Sequence, residues 1–263
     1  MGTLLLALSG WGVLAALFLL LYLYERIVRD ASIVDVGWSG SIGLLAFGYA
    51  VLSDAPLERR ILIGSMGVLW SLRLTVYLFF NRVYGKEEDG RYQNLRRNWG
   101  DRSGLFFFLF FQAQALLGLV FSIPFLLALT NTSASLSFFE WISIPVWVTA
   151  VLGETYSDLH LARFRSNPSN RGRVCQEGLW RYSRHPNYFF EWLHWWTYVI
   201  VGIGHWWGWI NLLFPLTMTF FLFKLTGIPA TEEQALKSRG EAYREYQRTT
   251  NRFFPWFPRE HAS

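Results

Sequence analysis

The residues best equipped for chemistry lie in one stretch, Gly178-Leu179-Trp180-Arg181-Tyr182-Ser183-Arg184-His185-Pro186-Asn187-Tyr188-Phe189-Phe190-Glu191-Trp192, where a basic loop runs into an aromatic apolar segment. Arg181, Arg184 and His185 can hold a phosphate or carboxylate by charge-assisted hydrogen bonds. Asn187 and Glu191, four residues apart, share one face of the helix that follows, and His194 and Tyr198 extend the stripe. Two further apolar segments carry such stripes: Arg73, Tyr77 and Asn81, with Trp70 a turn earlier, and Glu154, Asp158 and Arg165. Taken singly, each fits a structural network between helices equally well. Three stripes beside two arginine-rich loops favour a water-accessible cavity for an anionic ligand, because polar groups at membrane depth are costly.

The elements that must position these groups are apolar helices. Of 263 residues, 52% are hydrophobic, 19% aromatic and 16% charged, which excludes an ordinary soluble domain and a disordered chain. A helix needs about 20 apolar residues to cross a bilayer. Seven segments qualify, at 3–24, 36–53, 61–80, 104–129, 138–159, 187–204 and 207–226. The expectation is an all-α polytopic membrane bundle of about seven transmembrane helices forming a single domain over residues 1–263. Pro229 to Arg248 has helical spacing with a charged opposite face and predicts an amphipathic C-terminal helix on the cytoplasmic surface.

The net charge of +5 is concentrated in three blocks: residues 81–103, 160–186 and the tail from Lys224. The positive-inside rule makes these cytoplasmic and puts the N-terminus outside, although Arg59 and Arg60 then fall on the outer side. The basic blocks are short connections between apolar segments, so membrane lipids and a lipophilic small molecule are the expected partners, and nucleic acid is not. Nothing in the sequence sets an oligomeric state. A single cysteine, Cys175, and five scattered histidines predict no metal site.

Asp35, in Ser32-Ile33-Val34-Asp35-Val36-Gly37-Trp38, admits two readings. It is an ordinary residue of a helix start, or it lies deeper, where desolvation favours a neutral carboxylic acid able to donate to a carbonyl. Tyr77 and Glu191 are the other candidate acids.

Four segments together resemble a known group: Ser32 to Trp38, Trp70 to Arg73, Gly178 to Glu191, and Ser238-Arg239-Gly240-Glu241-Ala242-Tyr243 through Phe254-Pro255-Trp256. They are similar to the membrane steroid 5-alpha-reductase and sterol reductase superfamily, and closest to its bacterial DUF1295 branch. The resemblance implies a bacterial inner-membrane reductase that takes hydride from NADPH. It implies cofactor contacts at Asn81, Arg82, Asp158, Arg165, Arg173, Arg184, His185, Asn187 and Tyr188, with Asp35, Glu191 or Tyr77 as catalytic acid. The expected reaction is reduction of a conjugated C=C bond in a lipophilic enone like a 3-oxo-4-ene steroid. Trp70 stands where the steroid enzymes carry a catalytic tyrosine, which puts steroid specificity in question. The rival is an S-adenosylmethionine-dependent methyltransferase of the isoprenylcysteine type, which shares Arg-His-Pro-x-Tyr and the following Glu232-Glu233.

Overall fold

The computed structural model describes residues 2–225 and 227–259, with Leu225 described by its backbone. The end of the expected segment 207–226 therefore lies outside the described residues. Among these residues all regular structure is helical, and the chain divides into two compact units, Met1–Leu136 and Ser137–Ser263.

The first unit holds α1 (Thr3–Val28), α2 (Ile33–Leu52), α3 (Leu57–Leu78), α4 (Gly90–Trp99) and α5 (Ser103–Ala128). α1 buries only the stripe Leu6, Gly10, Leu14, Phe18 and Glu25. Leu4, Leu8, Trp11 and Leu20 face outward, a pattern suited to lipid rather than water. α2 and α3 meet along small residues. A Cβ on Gly43 would fall 2.3 Å from Ser71 Oγ, and one on Gly67 2.5 Å from the Ala46 Cβ. The close approach lets Gly43 N donate to Ser71 Oγ (3.1 Å), which in turn donates to the Ser39 carbonyl (2.5 Å). Such bonds contribute about 0.6 kcal/mol each in membranes, so close packing is the larger effect at this seam.

Arg59, expected outside as an exception to the charge rule, is buried. It donates to the carbonyls of Asn131, Ser133 and Ser135, while Arg60 donates to those of Ala50 and Val51 at the end of α2. Both satisfy backbone acceptors that would otherwise be orphaned.

The second unit holds α6 (Phe138–Ser166), α7 (Pro186–Val201), α8 (Leu213–Phe220), α9 (Ile228–Arg239) and α10 (Glu241–Thr249). A capping box starts α6, with Ser137 Oγ accepting from Glu140 N (3.2 Å) and Glu140 Oε2 from Ser137 N (2.7 Å). Gly153 admits the Phe190 ring to the backbone of α6, where a Cβ would stand 2.5 Å from it.

Among the described residues five stretches are long and apolar enough to cross a membrane: Thr3–Val28, Ile33–Leu52, Leu57–Val83, Gly90–Ala128 and Gly208–Arg239. The pattern is that of an integral membrane protein, and these five agree with five of the seven expected segments. The expected spans at 138–159 and 187–204 fall on α6 and α7. α7 has 16 residues, about 24 Å of helix against a hydrocarbon core of about 30 Å. α6 is long enough but carries Glu140, Glu154 and Asp158 along its length.

The expected helix from Pro229 to Arg248 is two helices, because the backbone turns at Gly240 with φ 54°. Its apolar residues Ala235, Tyr243 and Tyr246 are buried beside Val174 and Leu236 within the unit. The apolar face is thus covered by protein.

Candidate functional site

In the first unit α3 does not end as a regular helix. Phe79–Val83 forms a π-helical turn, and the wider turn breaks the four-residue spacing that put Tyr77 and Asn81 on one stripe. Asn81 Nδ2 donates back to the Tyr77 carbonyl (2.8 Å), and Arg73 lies 5.5 Å from the Tyr77 ring centroid. Arg82 swings to Asp35, donating to its Oδ2. Asp35 also accepts from Arg91 at Oδ2 (2.9 Å) and from the Tyr92 hydroxyl at Oδ1 (2.6 Å).

A strap holds this cluster. Glu88 Oε1 accepts from Ala31 N (2.9 Å) and Arg96 (2.7 Å), and Asp89 N donates to Ser32 Oγ (2.9 Å). Arg96 also reaches Glu25, fully buried on α1, at 2.8 Å. The distance fits an ion pair, but both Glu25 oxygens lack a well-directed hydrogen bond; charge proximity is the sounder description. Burial raises the Asp89 carboxyl, but hydrogen bonds from the Arg91 side chain and backbone outweigh it and hold the group below its ordinary value. Asp35 is neither a free helix cap nor a carboxyl in an apolar pocket. Its oxygens serve as acceptors for three donors, and a donor role would require displacing one.

In the second unit the stripes read on α6 and α7 meet. Asn187 Nδ2 donates to Asp158 Oδ1 (3.2 Å), and one turn further along α7 Glu191 Oε1 accepts from Trp195 Nε1 (3.2 Å). Asp158 is 3% exposed, so its charge has little water to rely on. Trp180 Nε1 donates to the Ser157 carbonyl (3.0 Å), locking the loop before α7 to α6.

Arg184 and His185 do different work. Arg184, 8% exposed, donates to Glu232 Oε1 (2.7 Å) and to the carbonyls of Gln247 (2.9 Å) and Thr250 (2.7 Å). His185 Nε2 sits 3.3 Å from Glu232 Oε1, and its ring stacks on Tyr188 at 5.5 Å. Burial holds the His185 imidazole below its ordinary value despite the opposing Glu232 contact. Ser183 Oγ donates to the Phe253 carbonyl (2.7 Å), Trp256 N to the Tyr182 carbonyl (3.0 Å), and the Tyr246 hydroxyl to the Trp180 carbonyl. The loop before α7 is stitched to the segment after α10. Arg165 and Arg173 are exposed; the Arg173 guanidinium reaches Asn170 at 3.4 Å, and its carbonyl accepts from Arg239 Nε (2.9 Å).

The protein-family model described as a protein of unknown function (DUF1295) matches residues 21–250. The chain belongs to the DUF1295 family. No curated protein and no solved structure matches it. The matched region of this DUF1295 protein contains the Asp35 cluster and the Asp158, Asn187, Arg184 and Glu232 contacts, while Phe253 and Trp256 lie just beyond it.

Three partners escaped the sequence reading. Arg91 and Tyr92 reach Asp35 from 56 and 57 residues away, and Glu232 reaches Arg184 from 48. Helical spacing relates residues within one element and carries no signal for such pairs.

Proposed function

We propose that this DUF1295 protein is a bacterial inner-membrane reductase that uses NADPH to saturate a conjugated C=C bond in a lipophilic enone. The observation that carries the reading is the convergence of Asp158, Asn187 and Glu191 along adjoining faces of α6 and α7. Amide and carboxyl groups on apolar helices are characteristic of a built site. The donor set suits a polyphosphate: Arg165 and Arg173 are exposed and have no carboxylate partner among the described residues. Arg82 and Arg184, by contrast, are occupied by Asp35 and Glu232.

In this scheme Arg165 and Arg173 hold phosphate, while Asp158 and Asn187 orient the nucleotide. When bound, NADPH supplies hydride to the β-carbon of the enone. Glu191 then serves as the proton donor that polarises the carbonyl oxygen, stabilising charge as it develops there, and the resulting enol takes a proton from water at the α-carbon as its hydroxyl proton is released, which completes saturation of the bond. Asp35 is the weaker candidate because its three donors must first be displaced.

Saturating NADPH should stabilise the detergent-solubilised protein by about 2–4 kcal/mol at a hundred to a thousand times its dissociation constant. Asn187→Ala and Arg173→Ala should each weaken that binding. No stabilisation by NADPH refutes the reading, and stabilisation by S-adenosylmethionine alone transfers the site to methyl transfer. Cysteine labelling in a Cys175→Ser background should find residues 160–186 on the cytoplasmic side.

A further inference from the structure

α6 carries a pocket on its other face. The side that packs on α7 carries Ala150, Gly153, Ser157 and Asp158, whereas Tyr156, Leu159 and Arg163 lie roughly opposite on the helical wheel and are exposed. There the last turns of α6 and the loop after it enclose a pocket of about 530 Å³, large enough for a lipid head group and the start of its chains.

The walls divide by chemistry. Tyr156, Leu159 and Phe164 form the apolar part. Arg163 and Asn167 supply donors, and Glu177 supplies a carboxylate to the same lining, with Nε2 of His160 at 3.7 Å. Asn167 spends its carbonyl oxygen on Ser169 N (3.0 Å), which leaves its amide hydrogens for a ligand. Among the described residues no carboxylate pairs with the Arg163 guanidinium. One fixed cation and one fixed anion, with carbon surface beside them, are complementary to a molecule carrying both charges on an apolar body. A simple anion would meet Glu177, and a simple cation would meet Arg163.

We infer that this pocket binds the head group of a zwitterionic phospholipid with a primary ammonium, its phosphate against Arg163 and Asn167, its ammonium against Glu177, and its chains over Tyr156 and Leu159. A primary ammonium donates three hydrogen bonds, whereas a trimethylammonium donates none, so the site selects phosphatidylethanolamine over phosphatidylcholine. Phosphatidylglycerol lacks the cation and is rejected by Glu177. The assignment does not depend on what reaction the protein performs.

The test is native mass spectrometry of the protein extracted from bilayers of phosphatidylethanolamine, phosphatidylcholine and phosphatidylglycerol in equal shares. The wild type should retain phosphatidylethanolamine above its bulk share. Arg163→Ala should lower the total lipid retained by about tenfold, because all three lipids offer the same phosphate, and Glu177→Gln should lower the ratio of phosphatidylethanolamine to phosphatidylcholine retained by about tenfold, in each case the effect of losing one charge-assisted hydrogen bond. Arg171→Ala, an exposed loop arginine outside the pocket, should leave both unchanged. Equal retention of phosphatidylglycerol, or full enrichment in Glu177→Gln, overturns the proposal. Glu177 is 70% exposed, so its variant should fold; retained thermal stability in both variants makes either loss specific to the pocket.

Discussion

Arg184→Ala separates a structural role from a cofactor role. Arg184 makes three side-chain hydrogen bonds, to Glu232, Gln247 and Thr250, and the side chain is 9% exposed. Breaking a buried ion pair from one side costs about 3–5 kcal/mol, chiefly because the partner charge is stranded. Glu232 keeps contacts to Gln247 (3.1 Å) and His185, so the lower end, about 3 kcal/mol, is the appropriate figure. That amounts to roughly two orders of magnitude in local opening. Hydrogen–deuterium exchange over residues 241–259 should accelerate by this factor in the variant, with α1 to α5 unaffected. NADPH affinity should fall only as far as the loop loosens. If exchange is unchanged while NADPH affinity drops sharply, Arg184 is a phosphate ligand and the clamp argument fails.

Three further outcomes are expected. His185, held below pH 6.5 by burial, takes up protons less readily folded than unfolded, so its stabilising contribution is complete above 6.5 and is lost as the pH falls toward the folded value. Thermal melts should show up to about 1.4 kcal/mol per pH unit in that window, and His185→Gln should flatten the slope. Gly178→Val should destabilise the second unit by more than about 1–2 kcal/mol, since Gly178 has φ 57° and a Cβ there would lie 2.5 Å from His160 Nδ1; an unshifted melting temperature would contradict this. Tyr92→Phe removes one of three donors to Asp35 and should cost about 1.5 kcal/mol in equilibrium unfolding, near the low end because Asp35 is 19% exposed and water can replace the hydroxyl.

The sequence was a good guide wherever one helix decides the answer. The stripes Glu154, Asp158 and Asn187, Glu191 follow from a 3.6-residue period, and α6 and α7 bring them together as that period requires. The same rule misplaced Asn81, because a π-helical turn begins at Phe79 and breaks the four-residue spacing from Tyr77. Charge counting treated Arg59 and Arg184 as loop cations, yet both are buried among carbonyls. Their destinations lie 48 to 76 residues along the chain, a distance at which local pattern holds no information. The tail helix was overextended for a simpler reason: Gly240 adopts positive φ, and a glycine in a helical pattern does not announce whether it interrupts.

The stitching of the loop before α7 to the segment after α10 sets an order of biogenesis. The carbonyls of Trp180 and Ser183, the Ser183 hydroxyl and one edge of the Arg184 guanidinium acquire these partners only after Tyr246, Phe253 and Thr250 have been synthesised, 63 to 70 residues later. During translation these groups wait unsatisfied while α7 and α8, which lie between them and their partners, are already emerging. A nascent chain released before Phe253 would leave this basic, aromatic loop without those partners, the incomplete tertiary packing that makes partly synthesised molecules prone to aggregate.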